Sequence, residues 1–334
     1  MMHPDSGESE HLPLGFRVHG PSLDHAVGDA AAMAVNGTMA SDRCGRGVAR
    51  GHHGELLQGV FRNDDGRLCR GLTSLPCHEL FAEAVIELSE DSQGLTVQPQ
   101  WKTKALRGAA AAMEAIGIGY LGGRLSVRNN IPVGCGFGSS TADVTASIRA
   151  VLDASGKCLT AAEIARLAVA VEVAADPLMF TETLLFAQRE GDVIERFSSA
   201  GKKVAVLGIA LPVDTVDTIA FPMARYDGHE LRQFEELRST LRQAVDTGDV
   251  AGLGHVATQS ARINQRFLPV PGFDALLTMV SGAGADGIQV AHSGNVGAFL
   301  FDPDDPNLAD RLDRVRHGLR GLEMGPLRFY EEQL

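Results

Sequence analysis

The stretch Pro132-Val133-Gly134-Cys135-Gly136-Phe137-Gly138-Ser139-Ser140-Thr141-Ala142 constrains this chain more than any other. Its three glycines, at alternate positions, free the backbone to take φ > 0 and to turn consecutive N–H groups inward. The pattern around it predicts a strand before it (123–128) and a helix after it (140–154). A loop of inward N–H groups running into a helix N-terminus binds phosphate, because unpaired donors and helix dipole both favour an anion. Ser139, Ser140 and Thr141 add hydroxyls for phosphate oxygens or for a magnesium ion. The spacing is G-x-G-x-G, not the dinucleotide G-x-G-x-x-G. No lysine follows, as it would in the G-x-x-x-x-G-K-[ST] nucleotide loop.

The rest of the chain limits what such a loop can serve. Its 334 residues, 44% hydrophobic and 22% charged, suffice for one large domain or two intimate ones. A net charge of -12 repels nucleic acid and anionic lipid, so neither is an expected partner. A nucleotide remains compatible, since backbone dipoles and Mg²⁺ supply local positive field. No apolar run approaches the ~18 residues of a spanning helix, and the first twenty residues lack the basic and apolar regions of a secretory signal. The five cysteines (Cys44, Cys69, Cys77, Cys135 and Cys158) form no C-x-x-C pair and read as free thiols of a reducing cytoplasm.

Residues 1–43 show weak periodicity and are expected to form a flexible extension with a short helix at 30–35. Deleting residues 1–38 is expected to leave soluble, active protein. Beyond them, strands are expected at 47–50, 57–61, 79–88 and 123–128, and helices at 102–116, 140–154 and 160–174. Thr160 and Glu163 are spaced as a capping box. A hairpin follows at 184–188 and 193–197. The second half predicts strands at 203–211, 215–221, 287–291, 296–301 and 327–330, with helices at 229–247, 250–267, 273–281 and 307–319. The class is α+β in two abutting lobes, 44–200 and 201–334, joined near 198–203.

Several polar residues stand out as site candidates. Glu172 and Asp176 are four apart at the end of the helix expected at 160–174, which places both on one face. Glu55 and Gln58 form a polar pair in an apolar stretch, suited to hydrogen bonding a substrate. Neighbouring His52 and His53 point to opposite sides of a strand; His53 is taken as the substrate contact and His52 as structural. Ser260 and Asn264 share a helix face beside Gln265. Ser293 is expected to make a turn or phosphate contact, and His292 to be structural.

Three segments in order carry a resemblance. The loop at 132–142 looks like the second motif of the GHMP superfamily, named for galactokinase, homoserine kinase, mevalonate kinase and phosphomevalonate kinase. Gly51-His52-His53-Gly54-Glu55-Leu56-Leu57-Gln58-Gly59 resembles its first motif, in the G-E-L-[LIV]-Q-G form of the L-threonine kinases of cobalamin side-chain synthesis. Gly287-Ile288-Gln289-Val290-Ala291-His292-Ser293-Gly294-Asn295-Val296-Gly297 resembles the third. Two departures stand in these motifs: Gly51-His52-His53 replaces the usual Pro-Gly stretch, and the third reads S-G-N-V-G. The resemblance covers about residues 44–330. It implies an N-terminal lobe like domain 2 of ribosomal protein S5, a ferredoxin-like C-terminal lobe, and ATP with Mg²⁺ between them. The implied reaction phosphorylates the hydroxyl of a small amino acid, L-threonine above all. Homoserine, serine, a specialised alcohol, or a nucleotide sensor without turnover remain alternatives, and a homodimer is admitted as the assembly. Asp176 would align or deprotonate the acceptor, assisted by Ser140. Ser140 and Glu172 would hold the metal, with Glu182 as a substitute. Pro132, Gly134, Cys135, Gly136, Phe137, Gly138, Ser139, Ser140 and Thr141 would hold the nucleotide, and His53, Glu55, Gln58, Asn264, Ser293 and Gly294 the acceptor.

Overall fold

The computed structural model describes residues 43–213, 224–292, 295–322, 324 and 326–334. The extension up to residue 42 with its expected helix, the strand expected at 215–221, and Ser293 and Gly294 lie outside these residues.

β1 (Arg43–Arg62) and β2 (Leu68–Ser89) form a long antiparallel ribbon. Where two short strands are expected, a single strand runs through both. The ladder crosses Gly51-His52-His53-Gly54 by shifting register between Arg50 and Gly51, between His52 and Glu55, and between Glu55 and Leu57. Such bulges bend a strand and re-aim its side chains without ending it. In β2 the alternation read from sequence is realised: Leu80, Ala82, Ala84, Ile86 and Leu88 are buried at every second position.

β3 (Leu95–Gln98), β4 (Gly122–Asn129), β5 (Leu184–Ala187) and β6 (Asp192–Arg196) extend the sheet in the order β3-β4-β2-β5-β6, with β1 on β2. β3, four residues long and parallel to β4, was not expected; so short a strand has no readable period. α1 (Thr103–Ala115), α2 (Ser139–Ser155) and α3 (Ala161–Glu172) belong to the same half. α2 buries Val144, Ile148, Val151 and Leu152. α3 opens with the expected box: the Thr160 side chain accepts from the Glu163 N–H, and Glu163 accepts from the Thr160 N–H.

The second sheet runs β10-β7-β9-β8, from β7 (Lys203–Ala210), β8 (Gly287–Val290), β9 (Val296–Phe301) and β10 (Pro326–Gln333), all antiparallel. Its helices are α4 (Gly228–Thr247), α5 (Val250–Asn264), α6 (Phe273–Ala283) and α7 (Leu308–Gly321). β9 is buried on both faces. Val296, Ala298 and Leu300 join the core of the first sheet. Phe299 and Phe301 pack into a second core with Leu207, Ile209, Leu276 and Val315. The two lobes of this α+β fold therefore share one packed layer, which makes the walls of the cleft stiff. Among the described residues no helix is long and apolar enough to cross a membrane.

Candidate functional site

The glycine-rich loop and the first turn of α2 line a cavity of about 400 Å³. Gly134, Gly136 and Gly138 all sit at positive φ, 75°, 73° and 76°, where a side chain strains the backbone. Gly138 is the N-cap of α2, and no side chain caps that helix. A Cβ on Gly138 would come within 2.7 Å of the His52 ring, so only glycine lets the loop close on that histidine. Pro132, Val133, Ser139, Ser140 and Thr141 line the cavity. Phe137 and Cys135, expected to contact the nucleotide, are not among the residues lining it. Phe137 is buried and meets the His53 ring edge-on at 5.1 Å. Cys135 is half-buried. The loop thus offers the cavity its glycine backbone and the first turn of α2, while Phe137 packs inward. Asn295, from the third motif, donates its side-chain N–H to the Gly134 carbonyl at 2.9 Å.

The two carboxylates reach the cavity by a route that differs from expectation. α3 stops at Glu172, and Val173 turns to φ 73°, a strained value for a β-branched residue. Asp176 lies beyond this reversal rather than on the same helix face. The turn is pinned by the Ala175 N–H donating to the Gln188 carbonyl at 2.9 Å. Ser140 Oγ donates to Glu172 Oε1, and Lys104 Nζ lies 3.6 Å from the same oxygen. Glu172 Oε2 is buried with no hydrogen-bond partner. Burial raises the Glu172 pKa, against the Ser140 hydrogen bond and the Lys104 charge. Hard oxygen donors with one orphaned buried oxygen fit Mg²⁺. Glu182 lies at the surface, paired with Arg196, away from this set.

Asp176 is buried and well connected. Its Oδ2 lies 3.4 Å from His52 Nε2 and accepts from the Thr141 hydroxyl at 3.5 Å. Its backbone N–H donates to Thr141 Oγ1 at 3.3 Å. Burial pushes its pKa up, but His52, His292 and Thr141 outweigh burial and lower it to about 2.

The bulged part of β1 supplies the partners. The Gly54 N–H donates to His52 Nδ1 at 3.0 Å, which makes that nitrogen the acceptor and leaves Nε2 to carry its proton toward Asp176. Burial opposes charge on His52, yet Asp176 and Glu55 together raise its pKa. Glu55 accepts from the His292 backbone N–H at 2.7 Å and lies 2.8 Å from His292 Nδ1. His292, against the effect of burial, is raised to about 9 by Glu55 and Asp176. The two imidazole rings stack at 6.5 Å between centroids. His52, Glu55 and Asp176 also place ligand atoms within 4.8 Å of one another. Glu55 and Asp176 are engaged by His292 and Thr141, and the hydroxyl and carboxylate of the Ser140–Glu172 pair are the harder oxygen donors that Mg²⁺ prefers.

Two residues expected to contact the substrate, His53 and Glu55, lie away from the cavity linings. His53 is fully buried, and Gln289 donates to its carbonyl and lies 2.9 Å from its Nδ1; burial lowers its pKa to about 4. Glu55 is buried beneath His292. Neither lines the cavities described, and nor does His52, which is fully buried behind Asp176.

Gln58 and Asn264 line a second cavity, of about 60 Å³. Gln58 donates to the Val290 carbonyl at 3.1 Å. Asn264 donates to the Gln58 carbonyl at 3.0 Å and accepts from the Tyr226 hydroxyl at 2.6 Å. Ser260 Oγ accepts from the Gln58 N–H at 3.0 Å. Ala174, Gln188 and His292 line both cavities, so the two adjoin.

His52 and His292 were read from the sequence as structural, and Lys104 was not singled out at all. His52 stands beside His53 in the first motif, and the sequence alone does not say which of the two faces Asp176. Lys104 begins a helix with no special pattern, and nothing local marks it.

Residues 104–180 match the GHMP kinases N terminal domain. The chain is 31% identical over 214 residues to the L-threonine kinase of Salmonella typhimurium, a match covering 60% of this chain and 63% of that protein. The chain thus spans a little under two thirds of that relative. The fold is similar to that of a homoserine kinase from Cytophaga hutchinsonii, with TM-score 0.65 and 15% identity, over 89% of this chain and 97% of that one. It is also similar to the ATP-binding mevalonate diphosphate decarboxylase of Enterococcus faecalis, with TM-score 0.58 and 14% identity, over 87% and 99%. The last is not a kinase by name, so fold alone leaves the reaction open.

Proposed function

We propose that this chain, which carries a GHMP kinase N-terminal domain on the fold of the GHMP kinases, transfers the γ-phosphoryl group of ATP to the hydroxyl of a small amino acid. L-threonine is the acceptor favoured by its relative, giving O-phospho-L-threonine. The observation that carries the reading is that Asp176 and the uncapped N-terminus of α2 line one cavity.

The chain's own groups would act as follows. The N–H groups of the 134–140 loop and α2 hold the phosphates and face the charge that develops on the transferring group. Asp176 accepts the hydrogen bond of the acceptor hydroxyl and aims its oxygen at the γ-phosphorus. The acceptor O–P bond forms as the bond to the β-phosphate oxygen breaks. With its pKa near 2, Asp176 orients the hydroxyl and takes the proton only late, as a loose phosphoryl transition state allows. His52 and Thr141 hold the Asp176 carboxylate in place. Ser140 and Glu172 would hold Mg²⁺, which when bound neutralises phosphate charge. Lys104 adds positive charge on the same side. The free cysteines suit a cytoplasmic setting.

The test is ADP release with ATP and Mg²⁺ against L-threonine, L-serine, L-homoserine and small amino alcohols. Preference for L-threonine supports both parts of the reading. Turnover of a different alcohol keeps the kinase and discards threonine. ATP binding without turnover of any acceptor removes the kinase and leaves a nucleotide sensor.

A further inference from the structure

The second cavity contains two arginines that phosphate binding does not use. Arg70 stands in β2, and Arg189 follows β5. One step beyond the Gly71–Ala187 pair, the Gln188 N–H donates to the Arg70 carbonyl at 3.2 Å. The sheet thereby sets the two arginine backbones side by side, and both side chains line the cavity. Both residues are half-buried. Among the described residues neither guanidinium has a carboxylate within ion-pair distance, and Arg189 Nε is buried without a hydrogen-bond partner. Burial and the charge of Arg189 both lower the Arg70 pKa.

Several other arginines of this acidic chain meet carboxylates, and part-buried Arg149 donates to the Val48 and Met179 carbonyls. Arg238 and Arg242 share Glu195, Arg311 bridges Asp286 and Asp305, and Arg266 meets Glu230. Leaving two guanidinium groups together without a counter-charge is costly, and a bound anion removes that cost. The planar forks of arginine match a carboxylate. Tyr226, Phe267 and Leu268 give the same cavity an apolar wall. His292 borders both cavities, and the charges of Asp176 and Arg70 both act on it.

We infer that Arg70 and Arg189 form the subsite for the acceptor's carboxylate, so that the enzyme selects hydroxy amino acids over amino alcohols. The inference rests on the proposed kinase reading and names the chemistry of its acceptor. A carboxylate is favoured over a phosphate because the glycine-rich loop already serves phosphate and the space is only about 60 Å³.

The test compares L-threonine with L-threoninamide, which keeps the hydroxyl and ammonium but lacks the anion. Wild-type enzyme is expected to lose ~10²-fold or more in kcat/KM on the amide, the scale for leaving a polar site unpaired. Arg70→Gln and Arg189→Gln are expected to lose activity on L-threonine while changing little on the amide, with KM for ATP held. The ratio of the two acceptors within one preparation is insensitive to the folded fraction. Equal use of both acceptors by wild type, or equal loss on both in each variant, overturns the inference. If neither acceptor turns over, calorimetry with a non-hydrolysable ATP analogue still decides. Binding of L-threonine but not of the amide supports the subsite though the kinase reading fails. Equal binding, no binding, or an arginine-dependent response to inorganic phosphate alone overturns it.

Discussion

The end of the cleft proposed for phosphate and the end proposed for the acceptor are built on opposite plans. The phosphate end comes from one continuous stretch, Gly134 to Thr141, and offers mostly backbone. The acceptor end is assembled from four separated segments: His52 and Glu55 in β1, Thr141 in α2, Asp176 beyond α3, and His292 after β8. A phosphate group has the same shape in every ligand, so a fixed array of N–H groups suffices. An acceptor hydroxyl must be aligned to a fraction of an ångström, and that takes side chains locked by one another. The first plan fails by loss of backbone conformation, the second by loss of any one partner.

The sharpest way to break the comparison is Asp176→Asn. The change is expected to lower kcat by ~10²-fold or more, the range for losing a proton-accepting group, with KM for ATP nearly unchanged. Steady-state kinetics decide it, and an unchanged kcat removes Asp176 from the mechanism. Next is Glu55→Gln, which leaves the His292 charge buried without its partner. A cost of ~3 kcal/mol in chemical denaturation is expected, on the scale of breaking a buried pair; a loss within error would mean that solvent reaches His292.

Gly136→Val should act only at the phosphate end. Its φ of 73° is unfavourable for valine by ~1–3 kcal/mol. KM for ATP should therefore rise ~10-fold or more while the acceptor's KM holds. Wild-type ATP affinity in this variant would contradict the loop's role.

The smallest effect is on pH dependence. His292 is raised from 6.5 to about 9 in the folded state. Its contribution to stability is complete below pH 6.5 and is lost as pH rises through about 9. Asp176 is lowered from 3.8 to about 2. Its contribution is present above pH 3.8 and is lost as pH falls through about 2. The melting temperature should therefore drop by a few degrees between pH 7 and 9.5, and His292→Gln should flatten that drop. An equal drop in the variant would assign it to other groups.

Much of this was legible in the chain. The glycine-rich loop, the helix after it, the Thr160–Glu163 box and the alternation in β2 all depend on residues within one or two turns of each other. The bulge was not legible, because a register shift belongs to the pair of strands and not to one of them. That is why the sequence could not show that His52, read as structural, would face Asp176. The helix stop at Glu172 was also missed, since nothing in Val173 announces a positive φ.

By itself the sequence determined the glycine-rich loop and the helix start behind it, where we propose phosphate binds, because both are local properties of the backbone. Tertiary structure alone decided what stands opposite. It brought Glu55 against His292, 237 positions away, put His52 on Asp176, and set Arg70 beside Arg189. Charges so far apart along the chain interact only after the sheets have paired, and in the low-dielectric interior that pairing sets which carboxylate stays ionised and which cation is left for a ligand.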